Sequence, residues 1–75
     1  MNAKLDETEW LVVAETLRTV AGQEAEAAAR AVRAAVDARR HKLTALARER
    51  NTDADEHRVR ADALMDLAER ISNGL

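Results

Sequence analysis

Apolar residues recur every three or four positions over most of the chain, which is the spacing of one face of an α-helix. Three such stretches predict helices at about residues 7–21, 24–50 and 54–72. The first stretch carries its stripe on Trp10, Val13, Ala14, Leu17, Val20 and Ala21. Asp6 stands where an N-cap belongs, and Glu9 follows three residues later, as in a capping box. The first helix is therefore predicted to begin at Glu7.

The second stretch consists almost entirely of strong helix formers. Its inner stripe alternates spacings of four and three residues, as in a coiled coil, at Ala25, Ala29, Val32, Val36, Arg39, Leu43, Leu46 and Arg50. Asn51 as a left-handed cap and Asp53 with Glu56 as a second capping box predict a turn. The last helix has its apolar face on Ala63, Leu64, Leu67, Ala68 and Ile71, and the dipeptide Asn73-Gly74 ends it.

Gly22 lies between the first two stretches and has two interpretations. It can end the first helix as a C-terminal cap, or it can be tolerated within a longer helix at about 1 kcal/mol. A break or sharp bend is slightly favoured, because a short helix folded back on its successor would bury more of Trp10.

These patterns predict a single all-α domain over residues 1–75, either an elongated helical hairpin or a three-helix bundle with coiled-coil-like packing. A chain of 75 residues has room for only a small core. Self-association is the simplest way to cover the remaining apolar stripe, so a homodimer is expected. The alternative is a thin three-helix monomer.

Composition excludes several classes of function. The chain has no cysteine, so disulfides and thiolate-bound zinc are impossible. His41 and His57 are the only histidines, without metal-binding spacing, and both are expected at the surface. No catalytic or cofactor signature occurs, so we expect a non-enzymatic protein without a cofactor. No membrane-spanning stretch or signal peptide is recognised, and a cytoplasmic protein is expected.

Charge is distributed unevenly along a chain whose net charge is −2. The run Arg39, Arg40, His41 and Lys42 points in different directions on a helix and cannot form one patch. A predicted basic stripe follows the flank of the middle helix instead, on Arg30, Arg33, Arg40, His41 and Arg48. Arg58 and Arg60, close to the predicted turn, would add to it. The favoured interpretation is solvated charge paired with acidic neighbours. The alternative is a nucleic-acid-binding surface.

A second candidate surface lies near the N-terminus. Trp10 belongs to the apolar stripe, whereas Leu11 and Val12 lie on other faces of the same helix, and Met65 points away from the apolar face of the last helix. These four residues are predicted to serve a dimer interface or to bind a different protein. The expected function is a small protein-binding adaptor or regulator that acts through helix-helix contacts, for instance an accessory or phage-type modulator of a larger protein.

Overall fold

The computed structural model describes residues 4–75 as two long helices packed against each other in an antiparallel hairpin. Helix α1 spans Glu7–Arg40 and helix α2 spans Thr44–Asn73. The hairpin measures 54 × 20 × 17 Å. The all-α prediction and its helical-hairpin form are confirmed. The three-helix division is wrong, because the chain has one reversal of direction and it falls at residues 41–43.

The start of α1 agrees with the sequence-based prediction. The Asp6 side chain accepts a hydrogen bond of 2.8 Å from the backbone N–H of Glu9, and the Glu9 carboxylate accepts one of 3.2 Å from the N–H of Asp6. This capping box satisfies two backbone donors that the first helical turn cannot satisfy itself. The acidic side chains also lie favourably at the positive end of the helix.

The helix continues through Gly22, so the favoured interpretation of that residue is wrong. Residues on both sides belong to α1, and a Cβ atom built on Gly22 would meet no other atom within 4 Å. The flanking sequence consists of good helix formers, and the packing of a 34-residue helix outweighs the roughly 1 kcal/mol that one glycine costs.

Helix α1 ends in a Schellman motif, a C-terminal cap closed by two backbone hydrogen bonds. The N–H of Leu43 donates to the carbonyl of Ala38 at 2.8 Å, and the N–H of Lys42 donates to that of Arg39 at 3.0 Å. The motif requires a left-handed residue, and Lys42 fills that position with φ of 60°. The turn predicted at Asn51–Asp53 is wrong, since those residues lie within α2.

The two helices meet along a seam of nine alanines, eight of which follow a seven-residue interval on their helix. Every buried residue of the described chain is an alanine: Ala14, Ala21, Ala28, Ala35 and Ala38 on α1, and Ala47, Ala54, Ala61 and Ala68 on α2. The inner stripe predicted for the second stretch is wrong, because Ala25, Ala29 and Arg39 are exposed and the adjacent face of the helix, with Ala28 and Ala35, is buried instead. Methyl groups at the contact let two helices approach closely, which larger side chains would prevent.

Contacts along the hairpin fix one register. Glu24 of α1 is hydrogen-bonded to His57 of α2, and fourteen residues away on each helix Trp10 and Ile71 line the same shallow cavity. A given number of residues forward along α1 therefore corresponds to the same number of residues backward along α2. Neither helix of the described chain has the length and hydropathy that a membrane crossing requires.

Candidate protein-binding surfaces

The alanine seam leaves the larger apolar side chains at the surface. Within residues 4–75 no large side chain is fully buried. An alanine methyl contributes less than about 1 kcal/mol on burial, whereas a fully buried leucine or valine contributes about 1.5–3 kcal/mol. The hairpin alone therefore realises little of the hydrophobic stabilisation that its sequence contains.

One side of the hairpin, named here the valine side, carries Val13, Val20, Leu46 and Leu67. Two contacts define it. Arg60 Nε lies 3.4 Å from Glu24 Oε2, and Ala27, Ala34 and Asp53 line a common groove. The four named residues lie in the same seven-residue rows as Arg60, Asp53 and the two alanines, so they occupy the same side. Val20, Leu46 and Leu67 are exposed, and Val13 is half-buried.

The opposite side, named here the methionine side, carries Leu11 and Met65. It is defined by the hydrogen bond of 2.7 Å that Arg18 donates across the hairpin to the Ser72 hydroxyl. Leu11 and Met65 lie one heptad from these two residues. Val12 lies on the outer face of α1 instead, in the same seven-residue row as Arg33 and Arg40. Their exposed fractions are 48%, 58% and 40% for Leu11, Val12 and Met65. Two of the four residues predicted for protein binding, Leu11 and Met65, thus lie on one side, and Val12 faces outward beside them.

The fourth predicted residue, Trp10, is separated from them. It is half-buried and lines a shallow cavity of about 230 Å³ with Arg70, Ile71, Gly74 and Leu75. This cavity lies at the open end of the hairpin, where α1 begins and α2 ends. Trp10 therefore packs between the helix ends, and Leu11 and Val12 face elsewhere.

Acidic side chains surround the methionine side. Glu7 and Glu15 lie one turn before and after Leu11 on α1, and Asp62 and Glu69 lie one turn before and after Met65 on α2. All four are exposed. Arg18 and Arg58, one heptad from Leu11 and Met65, interrupt this rim. The surface is therefore a small apolar patch whose nearest charges are acidic, which matches an apolar partner flanked by cations.

The middle of the hairpin contains a polar layer of Glu24, His57 and Arg60. The ring Nδ1 of His57 is hydrogen-bonded to Oε2 of Glu24, whose side chain is 23% exposed. This hydrogen bond, followed by the nearby Arg60 guanidinium, lowers the pKa of Glu24 from its ordinary value of 4.5. The expectation that His57 lies at the surface is wrong, since it is half-buried between the helices.

The predicted arginine stripe is divided between the two helices. Arg30, Arg33 and Arg40 lie on α1, and Arg48 lies on α2, because the helix ends at residue 40. Arg30 borders the groove on the valine side, whereas Arg33 and Arg40 lie on the outer face of α1. Of the two arginines after the predicted turn, Arg58 pairs with Asp55 and Arg60 with Glu24. One continuous stripe is therefore wrong.

The fold concentrates opposite charges at the two ends of the hairpin. Residues 30–50, which form the turn end, carry seven Lys or Arg and two Asp or Glu, a net charge of +5 with neutral histidines. The rest of the chain carries five Lys or Arg and twelve Asp or Glu, a net charge of −7. The molecule is thus strongly polarised along its 54 Å axis.

Metal binding receives no support from the arrangement of side chains, since residues 4–75 contain no group of three or more His, Cys, Asp or Glu that could hold a metal ion. His41 lies at the turn, where its Nδ1 is 2.9 Å from the carbonyl oxygen of Asp37.

Comparisons with protein-family models, with curated proteins and with solved structures find no match.

The valine side and the charge polarity each had a signal in the sequence, but a three-to-four-residue apolar spacing does not distinguish the seam from its flanks. Alanines at 14, 21, 28 and 35, and at 47, 54, 61 and 68, repeat at seven residues and mark the seam. With that seam known, Val13, Val20, Leu46 and Leu67 fall on one flank of it. The charge polarity was present in the residue counts, but it becomes a property of the molecule's ends only when the turn is placed at residues 41–43.

Proposed function

We propose that this hairpin is a non-enzymatic, cytoplasmic protein-binding module, an adaptor or regulator that acts through helix-helix contacts. The observation that carries the proposal is the distribution of burial: alanines occupy the seam, and the larger apolar residues face outward. A surface of this kind gains hydrophobic stabilisation only when another helical surface covers it.

The methionine side is the surface that we assign to the target protein. Leu11 and Met65 supply apolar area, Val12 extends it onto the outer face of α1, and the acidic side chains nearby select the charge of the partner. The expected partner is an amphipathic helix of another protein with lysine or arginine beside its apolar stripe. Leu11 and Met65 are separated along the hairpin by about one heptad, or roughly 10 Å, which two turns of a helix would span.

Affinity capture from a lysate of the cells that encode this chain tests the proposal. Four baits are compared after nuclease treatment: the natural chain, the triple variant Leu11→Ser, Val12→Ser, Met65→Ser, the control Val59→Ser, and a variant with Arg30, Arg33, Arg40 and Arg48 replaced by Gln. Val59 is 69% exposed on the outer face of α2. A protein bound by the natural chain, the control and the arginine variant, but lost from the triple variant, supports the proposal. Retention by a triple variant with an intact helical circular dichroism spectrum contradicts it.

A second candidate function, nucleic-acid binding, is supported by the positive turn end. Arg30, Arg33, Arg40 and Arg48 take part in no ion pair among residues 4–75. Because they occupy several faces of two helices, few of them can contact one duplex together. If they bind phosphates, the four glutamine substitutions abolish binding and the affinity of the natural chain falls steeply with salt.

A further inference from the structure

We propose that a second copy of this chain covers the valine side in an antiparallel arrangement, so that the turn of each copy lies beside the open end of the other. The result is a four-helix bundle with two-fold symmetry. This inference rests on the proposed function in one respect, that the outer faces of the hairpin bind helices. It leaves the methionine side of both copies accessible to a target.

The exposed area agrees with a missing partner of this size. The chain exposes 5637 Å². A compact monomer of 8.3 kDa is expected to expose about 4,600 Å². The excess of about 1,000 Å² is close to the roughly 800 Å² that each subunit buries in a standard interface. One second copy on one side would cover an area of this size.

On α1, the valine side has large side chains toward the open end and small ones toward the turn. Val13 and Val20, with the half-buried Leu17, lie toward the open end. Toward the turn, the corresponding α1 positions are Ala27, Ala31 and Ala34, which line the groove beside Arg50 and Asp53. An antiparallel copy places the large residues of one protomer over the alanines of the other, which fills the groove.

The polar positions of the same side are complementary in this arrangement. With the two-fold axis beside Gln23 and His57, Arg60 of each copy comes opposite Asp53 of the other. Leu67 of each copy likewise comes opposite Leu46. The interface then contains two opposite-charge pairs and two leucine contacts across adjacent helices, with the Glu24 layer at its centre.

Charge at the ends decides between the antiparallel and the parallel arrangement. A parallel copy would place two turn ends with a net charge of +5 each beside one another. An antiparallel copy places each positive turn end beside a negative open end. The attraction is partly screened at physiological salt, where the Debye length is about 8 Å, so low salt should tighten the dimer.

A distance measurement on the full chain tests the arrangement. The chain has no cysteine, so Thr44→Cys, an exposed position at the start of α2, provides one site for a spin label. With the axis near His57, the two labels in an antiparallel dimer are separated by about 40 Å along the bundle at 1.5 Å per residue. A parallel dimer would bring them within about the 20 Å width of the hairpin.

Sedimentation equilibrium supplies the second readout. Leu67→Ser, on the valine side, should weaken the dimer at least tenfold in Kd, whereas Val59→Ser on the outer face should leave the Kd unchanged. A dimer with the long label distance supports the proposal. A short distance, an unaffected Leu67→Ser dimer or a mass of 8.3 kDa at all concentrations overturns it. Sedimentation tests the dimer, and affinity capture tests target binding by the methionine side. A monomeric chain would therefore overturn the dimer without deciding the proposed function.

Discussion

Glu24 of α1 and His57 of α2 are hydrogen-bonded across the hairpin, and they form a polar layer between two helices whose fully buried residues are alanines. The contact fixes the register, because any shift of one helix along the other would separate the carboxylate from the imidazole. It also makes the stability of the hairpin depend on pH.

Glu24→Gln should reduce the loss of stability in acid. The pKa of Glu24 is lowered in the folded chain, so its carboxylate stabilises the fold fully above the ordinary pKa of 4.5, and this contribution is lost as pH falls through the lowered folded pKa. Chemical denaturation between pH 7 and pH 3 should show the variant less stable at pH 7 and similar to the natural chain at pH 3. Glu26→Gln, on the outer face of α1, is the matched control; an equal effect there would contradict the assignment.

Ala28→Leu should destabilise the hairpin by about 1–3 kcal/mol, because a leucine in the seam forces the helices apart. Its neighbour Ala29 is exposed, and Ala29→Leu should change the free energy of unfolding little, since alanine and leucine have similar helix propensities. Urea denaturation at equal protein concentration compares the two. Equal stabilities would show that the seam does not run through Ala28.

Gly22→Ala should stabilise the chain by about 0.5–1 kcal/mol. Helix α1 is continuous there and the added methyl meets no atom within 4 Å, so the substitution removes only the conformational entropy of glycine. Thermal unfolding followed by circular dichroism measures the change. A lower melting temperature would indicate that the helix breaks at Gly22, as the sequence alone favoured.

Lys42→Gly should also stabilise the chain, by about 0.5–1 kcal/mol. A side chain with φ of 60° pays a steric cost that glycine avoids, and this cost exceeds the entropy lost by introducing glycine. Lys42→Ala, which keeps the steric cost but removes the charge, separates the two effects in the same denaturation experiment. Stabilisation by alanine equal to that by glycine would attribute the gain to charge and contradict the backbone explanation.

The sequence predicted the helical class, the hairpin form and the capping box at Asp6 because each depends on local patterns. It placed the turn wrongly for a physical reason: the left-handed position of the Schellman motif is usually glycine, and here it is Lys42, which carries no turn signal. Meanwhile Gly22 and Asn51-Thr52-Asp53 carry turn signals within helices whose packing overrides them.

The candidate site was predicted in part. Leu11, Val12 and Met65 were identified because they lie off the apolar stripe, and this reasoning depends only on helical periodicity. The valine side was missed because its residues were assigned to the core, which in a three-helix arrangement would have covered them. The arginine stripe failed for a related reason: it required Arg40 and Arg48 to lie on one helix.

The alanine seam also limits how this chain can diverge. Residues on the outer faces can change with little effect on the spacing of the helices, whereas no seam position can enlarge without separating the two backbones. Descendants of the same hairpin should therefore retain small residues at intervals of seven after other similarity has disappeared. Distant relatives would then be recognised by that interval on two consecutive helices and by the single reversal between them, even where residue-by-residue identity is low.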